Sequence, residues 1–97
     1  MNKVEYLLAC LSEECGEVVQ EVGKCHRFGI LSKIPGNYHN IDYNDTHIER
    51  LIKEAHDVVA VYQLLMDELD RSPRMDYEKL AKKRAKVLSY MQVSDIQ

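Results

Sequence analysis

Tryptophan is missing from the 97-residue chain, and phenylalanine occurs once, at Phe28. The other six rings are tyrosines, and the apolar stripes are mostly aliphatic. There are two prolines and four glycines, which excludes collagen-like and low-complexity chains and leaves room for long helices. No apolar run approaches the roughly 18 residues of a membrane span. The N-terminal apolar stretch is short and broken by charge, unlike a secretory signal. Excess positive charge is absent too: 13 Lys and Arg against 16 Asp and Glu give a net charge of -3. That argues against a nucleic-acid polymer held by bulk basic charge. The expectation is a cytoplasmic protein with neither membrane nor polymeric nucleic acid as partner. The three cysteines, Cys10, Cys15 and Cys25, fall in one predicted helix. About 500° of helical rotation separates the first two and about 1000° the second pair. They read as reduced, small apolar residues.

What is present is 45% apolar and 30% charged, the balance of a globular chain. The length suits one domain, residues 1–97. A chain this short buries a small share of its surface, so an extended helical arrangement calls for a partner subunit to complete the core. Residues 2–27 read as a helix, with Val4, Leu7, Leu8, Leu11, Cys15, Val18 and Val22 at helical period. Asn2 with Glu5 forms its start signal and Gly29 its stop. GILSKIPGNYHNIDYND, residues 29–45, reads as a long loop. A second helix is expected over 46–70, capped by Asn44, Asp45 or Thr46, with Thr46 and Glu49 matching a capping box. It is apolar almost all round from Ala55 to Met66. After RSPRM, Asp76 is expected to cap a third helix over 77–92, which carries Lys79, Lys82, Lys83, Arg84 and Lys86 on one side. The tail VSDIQ is expected to fray. The architecture implied is all-α: a helical hairpin plus a third helix, forming a four-helix-bundle core between subunits.

Two stretches break the amphipathic pattern. SEECGEVVQEVGK carries Glu13, Glu14, Glu17 and Glu21, and EAHDVVAVYQLL opens with Glu54 and Asp57. Glu14 and Glu17 are three residues apart, as are Glu54 and Asp57, so each pair lies within about 60° on one helical face. Like charges at that spacing repel, the more so when partly buried, and something positive should lie between them. Mg²⁺ or Mn²⁺ fits, since hard divalent ions take carboxylate oxygens and keep several waters. If the helices pack antiparallel, Glu14, Glu17, Glu54 and Asp57 converge on one cleft suited to a metal-bound polyphosphate. The plain alternative is a pair of solvated acidic faces. A ferritin-like di-iron centre needs Glu-x-x-His, and here His56 follows Glu54 by two residues, with Asp57 at the third. His26, His39, His47 and His56 show no zinc-ligand spacing. His56 reads as a satisfied interior or interface residue.

Glu13-Glu14-x-x-Glu17 followed by Glu54-x-x-Asp57 resembles the EExxE…ExxD signature of the MazG-like all-α nucleoside triphosphate pyrophosphohydrolases. SEECGEVVQEVGKCHRFG is similar to the first helix of small phage and bacterial members, and RLIKEAHDVVAVYQLL to their second. The resemblance covers residues 5–66 well and the third helix loosely. Thirty-six residues separate Glu17 from Glu54, more than the family's usual spacer. The resemblance implies that Glu14, Glu17, Glu54 and Asp57 hold Mg²⁺. Glu13 would hold a second ion or take a proton from the attacking water, and a (d)NTP, such as the purine nucleotide dGTP, would yield (d)NMP and pyrophosphate. It implies phosphate contacts from Lys24, Arg27, Lys83 and Lys86. The base would lie against Asn37, Tyr38 or His39, or on another subunit of a homodimer or homotetramer. The same residues would serve a hydrolase of another phosphorylated metabolite, of phosphoribosyl-ATP type. A non-enzymatic helical interaction module is the remaining alternative.

Overall fold

The computed structural model of the protein describes residues 2–33 and 46–91. Asn37, Tyr38, His39, the alternative caps Asn44 and Asp45, and the tail expected to fray lie outside the described residues. Three helices account for most of the rest: α1 (Lys3–Phe28), α2 (His47–Glu68) and α3 (Tyr77–Met91). No strand occurs among the described residues; the one β-bridge, between Lys33 and Thr46, is isolated. None of these helices is long and apolar enough to cross a membrane.

Local chemistry sets each boundary. The Asn2 side chain accepts from the Glu5 amide at 2.8 Å, satisfying one backbone donor otherwise left open at a helix start, and its own amide nitrogen donates to the Glu5 carboxylate at 3.2 Å. Thr46 Oγ1 accepts from the Glu49 amide, and Asp76 accepts from the amides of Glu78 and Lys79. At the end of α1 the chain turns at Gly29, φ 94°, a backbone region that costs an L-residue with a Cβ. The end of α2 is a Schellman closure. The Arg71 amide reaches Met66 O at 2.9 Å and the Asp70 amide reaches Asp67 O at 3.2 Å, with Asp70 at φ 57° where glycine is usual.

The turn after α1 is tied to the start of α2. Ile48 donates to Ile30 O at 2.9 Å and His47 to Ser32 O at 3.1 Å. The ring of His47, 3% exposed, stacks on Phe28 with centroids 5.3 Å apart. These contacts close the hairpin at its base, so α2 runs back antiparallel along α1.

Helix α3 packs against neither α1 nor α2. The third helix is thus not part of a bundle within one chain. The radius of gyration is 16.9 Å, against about 12.5 Å for a compact chain of this length. Leu65 is the one buried hydrophobic residue among those described, at 6% exposure.

Candidate functional site

The α1–α2 hairpin has two unlike faces, and the helical period explains why. On α1, Glu14 points toward α2; Glu17 lies about 60° to one side and Cys15 about 100° to the other. On α2, Glu54 points toward α1, with Asp57 and Ala55 offset by the same angles. In an antiparallel pair, equal offsets fall on the same side. One face therefore collects carboxylates and the opposite one collects Cys15, Val18, Ala55 and Val58, which line a common open groove of about 220 Å³.

On the acidic face, Glu14, Glu17 and Glu54 each bring a carboxylate oxygen to within 4.8 Å of the others. Glu14 and Glu54 are half-buried, and one oxygen of each, Oε2, is sealed from solvent with no donor among the described residues. An unpaired buried carboxylate oxygen is costly. The Glu17 carboxyl facing Glu54 is the main reason that Glu54 holds its proton above the usual glutamate range. Burial adds to this, and the nearby Lys53 ammonium opposes it. Oxygens that share one octahedral Mg²⁺ lie at most about 4.2 Å apart, so small side-chain rotations would bring these three onto a common ion.

The other residues expected at the site are placed as follows. Asp57 is not drawn into the cluster of three. Its carboxylate accepts from Lys53 at 3.0 Å, and Lys53 also lies 3.6 Å from Glu54. That pairing, first with Asp57 and then with Glu54, holds the Lys53 ammonium above the usual lysine range. Glu13 is exposed on the edge of the stripe. Glu21 continues the stripe but is only 12% exposed and pairs with Lys24 at 3.3 Å, so it is not a solvated turn. Lys24 is thereby engaged, and the Arg27 guanidinium lies over the Phe28 ring at 5.6 Å. Lys83 and Lys86 sit on α3, away from the acidic cluster of their own chain. His56 is exposed, not interior, and its Nδ1 is paired with Ile52 O at 2.8 Å.

Lys53 is the residue that the motif reading passed over. Its signal was present: a lysine four positions before Asp57 and beside Glu54, a spacing that brings opposite charges together on a helix. The buried His47, with neither ring nitrogen partnered among the described residues, was equally unforeseen, because its burial depends on Phe28 at the far end of the loop.

Comparison of the chain with protein families, with curated proteins and with solved structures found no match in any of the three.

Proposed function

We propose that the protein is a Mg²⁺-dependent nucleotide pyrophosphohydrolase that converts a (d)NTP, with a purine deoxynucleotide such as dGTP as first candidate, to (d)NMP and pyrophosphate. The observation that carries this reading is the convergence of Glu14, Glu17 and Glu54 from two helices, with buried oxygens on Glu14 and Glu54 that no donor among the described residues satisfies. A site with that donor set repels a bare anion and suits a polyphosphate that arrives with a hard cation. The order of the two carboxylate motifs, and their resemblance to the MazG-like signature, narrows the phosphate compound to a nucleotide.

Glu14, Glu17 and Glu54 would hold the ion, with Asp57 joining after exchanging Lys53 for it. When bound, Mg²⁺ neutralises charge on phosphate oxygens and acidifies a bound water. Glu13, exposed at the edge of the stripe, is placed to accept the proton of the attacking water. The water oxygen bonds to the α-phosphorus as the bond to the bridging oxygen breaks, and pyrophosphate leaves. Lys24 and Arg27 lie further along α1 and meet phosphates only by leaving Glu21 and Phe28. Lys83 and Lys86 reach a substrate there from a second copy, or after α3 has moved.

Turnover of a panel of canonical and modified (d)NTPs with Mg²⁺ or Mn²⁺, with products identified, tests the reading. Absence of turnover across the panel removes it. The exposed apolar side chains of α3, Leu80, Leu88 and Met91 among them, favour a second reading as a helical interaction module. Calorimetry with Mg²⁺ and a non-hydrolysable nucleotide separates the two, because the module binds neither.

A further inference from the structure

Three carboxylate oxygens are sealed from solvent with no donor among the described residues: Oε2 of Glu14, of Glu54 and of Glu21. The first two belong to the cluster of three, where an ion would use them. Glu21 lies outside that cluster, so an ion shared by Glu14, Glu17 and Glu54 leaves its oxygen unserved. A helix-surface ion pair does not account for it either. Glutamate three residues before lysine is an ordinary pairing, but such pairs keep their carboxylates in water. Here the Glu21 side chain is 12% exposed against 50% for Lys24, and only Oε1 meets the ammonium, at 3.3 Å. The other oxygen is costly to bury until a donor reaches it. The adjacent ammonium repels a second cation, so the missing donor is a neutral N–H or O–H group, and a ligand is left to supply it.

The place of Glu21 says which part of a ligand this is. It follows Glu17 by one helical turn, about 6 Å along α1 and about 40° around it, on the same stripe and toward the Phe28 end. In the other direction the stripe continues as Cys10 and Leu7, which offer no polar pair. With phosphates on the ion, the nucleoside of the same molecule reaches Glu21 and Lys24. That pair presents two acceptors and then a donor. Guanine carries the complement on its Watson–Crick edge: the N2–H and N1–H donors, then the O6 acceptor. A carboxylate takes two parallel N–H groups, and an ammonium donates to O6. Adenine, cytosine and thymine each turn a ring nitrogen or carbonyl acceptor toward a carboxylate oxygen, which leaves both without a donor.

We infer that Glu21 and Lys24 are the base-reading pair of the site and that the base is guanine, with Glu21 accepting from N1–H and N2–H and Lys24 donating to O6. The inference rests on the reading of Glu14, Glu17 and Glu54 as the ion site of a nucleotide hydrolase, and narrows its substrate from a purine to guanine. A rotation of the Glu21 side chain brings Oε2 out to the base and gives it the donor it lacks. Lys24 keeps its place beside Glu21 and does not leave it for a phosphate. Selectivity then comes as much from rejection as from attraction, since a base without the two donors leaves the carboxylate unpaired in a partly buried position.

The test compares nucleotides first and variants second. In steady-state hydrolysis with Mg²⁺, kcat/KM of the wild type for dGTP should exceed that for dATP, dCTP and dTTP at least about tenfold, within the range that one bidentate base contact discriminates. Deoxyinosine triphosphate, which is dGTP without the 2-amino group, should fall several-fold below dGTP. Glu21→Gln keeps the shape of the side chain, and circular dichroism checks its helix content. It should lower the dGTP-to-dATP ratio at least about tenfold, because a carboxamide turns an N–H toward guanine's donors and offers adenine N1 the donor it needs. Lys24→Met should move the ratio the same way, and Glu21→Gln should shrink the gap between dGTP and deoxyinosine triphosphate. Three results overturn the inference: another dNTP used as well as dGTP by the wild type, a 2-amino group whose removal changes nothing, or a Glu21→Gln variant that slows dGTP and dATP by the same factor. In each of these the hydrolysis persists and the ion-site reading stands, whereas absence of turnover with every (d)NTP removes both.

Discussion

Glu17 and Glu54 come from different helices, yet their carboxyl groups face each other closely enough to share a proton. Two antiparallel helices with the same acidic spacing produce this meeting, since each presents one carboxylate to the seam and the next to the same side of it. Without a cation, a shared proton is the means of holding them together. A divalent cation bound between them would displace that proton.

That relationship fixes a pH dependence. Glu54 has its pKa raised in the fold, so the folded state binds its proton more tightly than the unfolded chain does. Its contribution is then intact below the unfolded value and is lost as pH rises through the folded one. In EDTA, Glu54→Gln should therefore gain thermal stability relative to the wild type as pH increases from about 4.5 toward 7. Differential scanning calorimetry across that range checks the sign. A gap that stays constant or closes contradicts the shared proton.

Mg²⁺ or Mn²⁺ should raise the melting temperature of the wild type. Stabilisation is about 2.7 kcal/mol at a concentration near 100 times the dissociation constant. Glu17→Gln and Glu14→Gln should lose most of that gain while keeping their helix content by circular dichroism. Equal stabilisation of wild type and variants would take these two residues out of any ion site.

Lys53 lies 3.6 Å from Glu54 and 3.0 Å from Asp57, so an ion held there would have to compete with it. Its own pairing is exposed, at 64% for the lysine side chain, so Lys53→Ala should leave stability almost unchanged. The same change should tighten Mn²⁺ binding several-fold, because a like charge has left the site. Calorimetric titration with Mn²⁺ reads both the direction and the size. Weaker binding would mean that Lys53 orients the carboxylates instead of opposing the ion.

At the end of α2, Asp70 occupies a left-handed backbone position that glycine adopts without strain. Asp70→Gly should raise stability by up to about 1 kcal/mol in chemical denaturation. The ion affinity should stay the same, since the change lies far along α2 from Glu54.

The helices and their starts could be read from the sequence because their determinants are local. Asn2, Thr46 and Asp76 each bond amides two or three residues onward, and the apolar period needs no knowledge of a partner. The Glu14, Glu17 and Glu54 cluster followed from the same period once the two helices were taken as antiparallel. What could not be read depends on competition or on distant chain. Asp57 is held by Lys53 outside the cluster, and Lys24 and Arg27 are already engaged by Glu21 and Phe28. The end of the second helix moved inward to Glu68 because Asp70 takes a conformation that spacing does not reveal. That α3 stands away from the hairpin is a matter of tertiary packing, and its amphipathic pattern is the same whether its partner lies in this chain or another.

Hydrolysis of a (d)NTP in ¹⁸O-labelled water, with Mg²⁺ present and both products analysed by mass, tests the proposed reaction most directly. Attack at the α-phosphorus places the label in the nucleoside monophosphate and leaves pyrophosphate unlabelled, with Glu17→Gln showing almost no product. Label in pyrophosphate or inorganic phosphate, undiminished turnover by Glu17→Gln, or no turnover with any (d)NTP would contradict it.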